Sequence, residues 1–576
     1  MDDYCGDGYY LHGVIQCQYW FVNEKKPTWI VADPVSSQTM EQFTHHRLLL
    51  QLLWNRGQRT SEEMDVYLAP DWNRDSHGPE LFLQMIPAVN RVFEAFEKGQ
   101  IITVHGDYDA DGVCGSALLV TVLRDLCRLG GFDEQTITFY IPHREKEGYG
   151  LSIETVDHLA TEQKTSLIIT VDCGISNKPA IDRAKTLGID TIVCDHHTMP
   201  QELPDQAILI HPLVPGEIFP NKHLCGTGVA FKLGCALYTE ARQRGLAVPE
   251  GQEKWLLDLV AIATVTDVMP LTGENRVLET FGLTVLNKTR RVGLRKLVEI
   301  SGGKFGSLDT TSIGFQIGPR LNAAGRMNHA TEALNLLIEE DETKAIEFAQ
   351  KLHQTNQDRQ RLSQQIYLEA KKQAQAQLDS KLIVVVGAWP AGLVGLVSGK
   401  LASEFHLPTY TIGKTEELYV GSGRTVGTFD VTRALHAASA HLEKFGGHPQ
   451  ACGFSIRGEE QLEKAIAVLR DFAQTNVDEA ELIPKLSIEA EIPLEEIDWK
   501  LFEAIESCRP FGQGNPEPLF AARGVSIVSF STVGSDGKHL KLTVQSPQGK
   551  MFPAIAFGLG EEAERLSIGD VVDIAF

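Results

Sequence analysis

The chain has 576 residues, 53 basic against 76 acidic for a net charge of −23, with 43% hydrophobic and 22% charged positions. At ~150 residues per domain this length makes room for roughly three or four domains. The composition excludes a disordered chain, a collagen-like chain and a histone-like basic protein, but not a nucleic-acid partner, because an acidic protein can carry a local basic groove or recruit divalent metal.

Residues 1–90 are irregular and rich in tryptophan, and they carry no readable motif. A helical approach, PELFLQMIPAVNRVFEAFEKG, leads into a predicted parallel α/β domain over 91–340. Its apolar runs are IITV (101–104), SLIITV (166–171), DTIVC (190–194) and AILI (207–210), separated by amphipathic helices such as VCGSALLVTVLRDLCRL, which stops at Gly130-Gly131. Residues 341–380 read as one connecting helix: from Asp341 to Asp379 there are six basic and six acidic residues, nine glutamines, and no glycine or proline. Unbroken, it would be ~57 Å long. Its middle, HQTNQDRQR, is polar on all sides and predicts a solvent-exposed strut. Residues 381–482 restart as α/β with KLIVVVG, giving a bilobal plan. From 483 to 576, GVSIVSFSTV, HLKLTVQS and FPAIAF predict a small OB-like β-barrel. The chain stops at DVVDIAF within a strand-like run, so the barrel is either truncated or closed differently.

The ten cysteines, Cys5 and Cys17 among them, form no C-x-x-C pair, which fits a reducing cytoplasm. MDDYCGDGYY lacks the basic start and apolar run of a signal peptide. The long uncharged stretch between Lys381 and Lys400 is interrupted by Gly387, Pro390, Gly392, Gly395 and Gly399, so it reads as strand, turn and helix rather than a membrane span. A cytoplasmic location and no membrane partner are expected.

Three of the four apolar runs of the first α/β domain end in acids or histidine. His105-Gly106-Asp107-Tyr108-Asp109-Ala110-Asp111-Gly112 follows the first, Asp172-Cys173-Gly174 the second, and Asp195-His196-His197 the third. Ligands bind at the carboxyl ends of strands in an open parallel sheet, so these groups should converge. Asp267, ending the apolar run LVAIATVTDVMPL, adds a fourth segment. Clustered carboxylates repel one another unless cations sit among them. Oxygen ligands with one or two imidazoles suit Mn2+ or Mg2+ better than zinc, and two ions would activate a water and clamp a phosphoryl group. Each aspartate has a plainer reading as a helix cap or turn residue, Asp195 could instead orient a histidine, and His211 reads as structural.

DYDADG, VDCGIS, CDHH and VTDVMPL, in this order, resemble the DHH phosphoesterase superfamily. IGPRLNAAGRM, within 313–327, and GSGRT…GGHPQACGF (421–454) narrow the resemblance to its RecJ-like exonucleases over about residues 90–576. The resemblance implies metal ligation by Asp109, Asp111, Asp172, His196 and Asp267, with His105 or Asp107 completing the shell. It makes His197 a phosphate contact or proton donor, with Asp195 beside it in the catalytic set. It places Arg144, Ser422 and Arg424 at a DNA 5′ end. Arg320, Asn322 and Arg326 offer further phosphate contacts or a capping segment, and His448 lies beside nucleic acid or simply in a turn. On the residues alone, Arg144 reads rather as the surface partner of neighbouring glutamates. One departure is Pro390 after Trp389, where RecJ-like chains usually have histidine. In the barrel, Phe520, Phe530, Lys538, His539 and Lys541 could meet a single strand, although aromatics in strands usually fill cores.

The implied activity is 5′ to 3′ degradation of single-stranded DNA threaded between two lobes, with release of 5′-mononucleotides, in recombination and repair. The implied partners are a single-strand-binding protein and a RecQ-type helicase, and the implied state is a monomer. Two other readings are a DHH phosphodiesterase acting on oligoribonucleotides or cyclic dinucleotides, and a non-catalytic replication scaffold of DHH type.

Overall fold

The computed structural model describes residues 15–17, 27–415 and 418–576. The first ten residues, Cys5 and the side chain of Cys17 lie outside the described residues, so the signal-peptide and cysteine readings are not addressed there. The other eight cysteines are free thiols. Among the described residues no helix is long and apolar enough to cross a membrane. The chain divides into two compact units: Ala69–Gln365 with Pro510–Pro516, and Met1–Leu68 with Ile366–Arg509 and Glu517–Phe576.

The first unit is built on a five-stranded parallel sheet. Its strands are β1 (Ile101–Gly106), β2 (Ile137–Tyr140), β3 (Thr165–Val171), β4 (Asp190–Cys194) and β5 (Ile208–Ile210), in the order β2-β1-β3-β4-β5. The four apolar runs account for all but β2. That strand lies at an edge with three of its four side chains half-buried, so it has no continuous apolar run to read. Alternation along β3 sends Leu167, Ile169 and Val171 into one core and Ile168 into another, covering both faces of the sheet. The larger core holds helices α1 (Ala110–Gly130), α2 (Gly226–Gln243) and α3 (Leu257–Thr266). Helix α1 ends at Gly131 with φ 71°, the left-handed cap expected from the Gly-Gly pair. Helix α4 (Gly318–Met327) follows a π-turn over Ile313–Ile317.

Helix α5 (Glu342–Gln375) is 34 residues long and corrects the reading of a fully exposed strut. Ala345, Ala349, Leu352, Thr355 and Asn356 are buried in its first half, and Ile366, Tyr367, Ala370 and Ala374 in its last turns. Only the stretch 357–365 has no buried residue. The polar composition misleads because alanines and short polar side chains suffice for a narrow packed face.

The second unit contains a mixed sheet of β6 (Ile383–Gly387), β7 (Thr409–Lys414), β8 (Tyr419–Arg424), β9 (Lys444–His448) and β10 (Ala451–Ile456), ordered β9-β10-β8-β7-β6. Only β6 and β7 are parallel. Beside β6, Gln373 donates to Val386 O at 3.0 Å and accepts from Val386 N at 3.1 Å. Gln377 repeats this pattern with Val384, at 2.9 and 3.1 Å.

The C-terminal β domain centres on the long strand Phe520–Val533, which pairs with His539–Gln545 and with Val571–Ala575. Ile15–Cys17 pairs in parallel with Ala554–Ala556, and Thr28–Val31 with Lys485–Ile488, so part of the motif-free first 90 residues supplies strands to this unit. Phe520 is 2% exposed, which corrects its reading as a stacking residue, and Phe530 packs against the barrel core.

Candidate metal and nucleic-acid site

The carboxyl ends of β1, β3 and β4 and the end of α3 bring together the acids expected from the sequence. Ligand atoms of Asp107, Asp109 and Asp172 lie within 4.8 Å of one another, as do those of Asp111, His196 and Asp267, and those of Asp172, His196 and His197. His196 Nε2 is 3.1 Å from Asp172 Oδ1, 3.5 Å from Asp267 Oδ2 and 3.8 Å from Asp111 Oδ2. Asp172 and His196 each belong to two groups, so the group of Asp172, His196 and His197 bridges the other two.

Local structure explains how so many carboxylates are held. Asp109 is the N-cap of α1, with Oδ1 accepting the N–H groups of Asp111 at 2.9 Å and Gly112 at 3.2 Å, so its capping and cluster roles coexist. Asp111 accepts the N–H groups of Gly226 and Thr227 at the start of α2, both at 2.7 Å. A Cβ at Gly226 would lie 2.5 Å from Cβ of Asp172, so only glycine lets α2 come this close. Asp172 has φ 60°, and Val268, beside Asp267, has φ 57°. A left-handed β-branched residue is strained, and such strain gathers at functional loops. Nothing in the sequence marks Val268.

Asp195 serves both histidines. Its Oδ1 accepts His196 N at 2.7 Å, His197 N at 3.1 Å and His197 Nδ1 at 2.8 Å, while Oδ2 accepts Ile175 N at 2.9 Å. Despite burial, these donors hold the Asp195 carboxyl below the usual range. His197 is pushed above its ordinary value, because its bond to Asp195 outweighs burial. His211 is buried and its ring nitrogens meet His197 O and Leu213 N, both at 3.0 Å, which is the structural role expected of it.

The donor set fits divalent cations. Burial and mutual repulsion raise the Asp107, Asp109 and Asp172 carboxyls above their ordinary range, and that of Asp267 to about 9. Asp107 Oδ1 and Asp267 Oδ2 are buried without a hydrogen-bond partner. Carboxylate oxygens with one or two imidazoles match Mn2+ or Mg2+. Between His105 and Asp107, the geometry brings in Asp107. The His105 ring stacks on Tyr140 at 5.9 Å and approaches Cys173 Sγ at 3.6 Å, outside the three ligand groups.

The expected nucleic-acid residues divide by surroundings. Arg144 makes no ion pair among the described residues, and its guanidinium lies 4.8 Å from the centroid of Tyr108, between Asp107 and Asp109 in sequence. Of the neighbouring glutamates, Glu147 accepts instead from Tyr140, Thr155 and His143 N. Asn322 Oδ1 accepts Ala110 N at 2.9 Å, the capping alternative expected of this segment, so its side chain ties α4 to the DYDADG loop. Arg320 donates to Gln316 O and His353 Nδ1, and burial, with a smaller contribution from the charge of Arg359, depresses its basicity. Arg359 donates to the amide oxygen of Asn356, and among the described residues neither of these two half-buried, mutually repelling guanidiniums makes an ion pair. Arg359 lay in the stretch read as solvated, and only its placement reveals it.

In the second unit, Arg424 Nη1 donates to Ser422 Oγ at 2.7 Å, and Ser422 Oγ donates to Cys452 O. A Cβ at Gly395 would lie 3.1 Å from Arg424 Nη2, so the first turns of α6 (Ala391–Phe405) approach these donors through bare backbone. His448 ends the exposed edge strand β9, beside the turn that leads to β10. Trp389 is buried with Nε1 donating to Glu369, and Pro390 is the N-cap of α6.

Comparison with known proteins matches the DHH family N-terminal domain to residues 101–264, the DHHA1 domain to 379–475 and the RecJ OB domain to 488–576. The single-stranded-DNA-specific exonuclease RecJ of Haemophilus influenzae is 33% identical over 531 residues, 90% of each chain. The chain belongs to the RecJ family. The Bacillus subtilis RecJ is 35% identical over 94% of this chain, which spans 66% of that protein's length. The crystal structure of Thermus thermophilus RecJ in complex with Mn2+ superposes with a TM-score of 0.76 at 27% identity, over 92% of this chain and 78% of that one. The same protein with Mg2+ gives a TM-score of 0.71 at 26% identity, over 92% of this chain and 77% of that one. This RecJ-family chain therefore has the expected α/β architecture, a DHH parallel-sheet domain and a DHH-associated domain joined by a long helix, with a C-terminal OB domain.

Proposed function

We propose that the chain is a metal-dependent exonuclease that degrades single-stranded DNA from its 5′ end and releases 5′-mononucleotides. The observation that carries this reading is the convergence of Asp107, Asp109, Asp111, Asp172, His196 and Asp267 around buried carboxylate oxygens that lack hydrogen-bond partners. Two Mn2+ or Mg2+ ions bound there would lower the pKa of the attacking water and offset charge on the scissile phosphate.

The chain's own residues supply the rest. Arg144, which covers Tyr108 and makes no ion pair among the described residues, binds the terminal phosphate. Arg320 with Arg359, and Ser422 with Arg424 in their own unit, bind further phosphates. Water adds to phosphorus and the P–O3′ bond breaks. His197, oriented by Asp195, gives its proton to the departing 3′ oxygen. The shortened strand keeps a 5′ phosphate, so every cut regenerates the group that Arg144 recognises.

The family resemblance supports work beside a single-strand-binding protein and a helicase in recombination and repair. The test compares Mn2+-dependent degradation of a long 5′-phosphorylated single strand with that of a dinucleotide. Faster turnover of the long strand is expected. Preference for the dinucleotide would establish the short-substrate phosphodiesterase instead, and inertness towards both would favour the scaffold.

A further inference from the structure

Tyr149 touches two parts of the centre at once, and no role follows for it from the ligand set. It lies in the same loop as Arg144, between Gly148 and Gly150, whose φ values of 83° and 78° set the loop's turn. Its hydroxyl donates to the backbone oxygen of Asp172 at 2.9 Å. The same oxygen lies 3.0 Å from Nδ1 and 3.2 Å from Nε2 of His197, with the two rings at 65° and 5.4 Å. The ring of Tyr149 also meets Tyr108 edge-on at 6.4 Å, and Arg144 covers Tyr108.

These contacts leave the phenol little freedom. Its proton is committed to Asp172 O, so towards His197 its oxygen can only accept. His197 Nδ1 is engaged by Asp195 Oδ1 at 2.8 Å, so the phenol oxygen and Asp195 together fix the plane of the imidazole. Asp172 is meanwhile in the left-handed region, which aspartate enters more readily than most residues, so its carbonyl is free to face the phenol. Tyr149 as a residue is 44% exposed, although its hydroxyl meets Asp172 O and His197.

We propose that Tyr149 is a positioning residue that orients the imidazole of His197 and links it, through Tyr108, to the loop bearing Arg144. The proposal rests on the role given to His197 above. It makes phosphate capture and proton delivery depend on one short segment.

The test is Tyr149→Phe in the full chain, which removes one oxygen and keeps the ring. In the metal-free protein labelled with 15N-histidine, the ring resonances of His197, assigned with His197→Gln, should shift in Tyr149→Phe. On a 5′-phosphorylated single strand kcat should fall roughly 10- to 100-fold, the range for a misplaced reacting group, with KM within about twofold. Mn2+ affinity by calorimetry and the melting temperature should stay at wild-type values. Unchanged kcat with unchanged His197 resonances would overturn the proposal. So would a joint fall of kcat, Mn2+ affinity and melting temperature, which would make Tyr149 a support for the Asp172 backbone alone. If the wild-type chain degrades no single strand, the functional reading fails, and the His197 resonances alone decide the positioning role.

Discussion

Asp195 Oδ1 and His197 Nδ1 are 2.8 Å apart, and the same carboxylate takes both backbone N–H groups of the His-His pair. The contact raises the proton affinity of His197, so the ring is protonated over a wider range than a free imidazole. Asp195→Asn keeps an acceptor but removes the charge. The expected result is a fall in kcat of roughly 10²-fold, with the alkaline limb of the pH profile moved to lower pH, because His197 loses its proton sooner. The pH dependence of kcat checks this, and an unmoved alkaline limb would separate His197 from proton delivery.

Asp109 combines a cap and a proposed metal ligand, and two substitutions separate them. Asparagine caps a helix as well as aspartate, whereas alanine costs about 1 kcal/mol. Asp109→Asn and Asp109→Ala should both abolish Mn2+-dependent turnover, but only the alanine variant should melt a few degrees lower without metal. Thermal denaturation with and without chelator measures the difference.

Acidity of the cluster ties stability to metal and pH. Asp107, Asp109, Asp172 and Asp267 hold their protons more tightly folded than unfolded. In metal-free protein their stabilising contribution is therefore complete below their ordinary value near 4 and is lost as pH rises, for Asp267 through about 9. Chelated protein should lose melting temperature from pH 5 to 9, and the rise produced by Mn2+ should grow over the same interval. Calorimetry in buffers of different ionisation enthalpy should show proton release on Mn2+ binding.

Asn322 gives a prediction opposite to that for a phosphate contact. Removing its side chain leaves the Ala110 N–H without a partner, at a cost of about 1–3 kcal/mol. Asn322→Ala should lower the melting temperature and weaken Mn2+ binding, while affinity for single-stranded DNA without metal stays unchanged. Filter binding beside calorimetry distinguishes the two, and a selective loss of DNA affinity would return Asn322 to the phosphate contacts.

The legible part of this molecule is the part written in chemistry at the ends of strands. DYDADG, VDCG and DHH follow apolar runs directly, and parallel-sheet geometry brings such positions together. Less legible are contacts whose partners are distant in sequence. Asn322 caps a helix that begins more than 200 positions earlier, and a phosphate-binding asparagine would have the same letter. His105 has the right chemistry, but its ring is turned towards Tyr140 and Cys173. Phe520 looks the same to the sequence whether its ring points into or out of the barrel, and register alone decides. Arg359 sits among residues whose polarity reads as solvation until Arg320 is found beside it.

A glutamine in the last turn of helix α5 and another just past its end have an effect beyond the helix. An outermost strand such as β6 ordinarily offers a ladder of open amides to any extended peptide, a common route to self-association. Gln373 and Gln377, one helical turn apart, answer Val386 and Val384 with side-chain amides as another backbone would. The helix thus acts as a surrogate strand, and truncating the two glutamines would leave a sticky margin on a protein whose active centre is untouched.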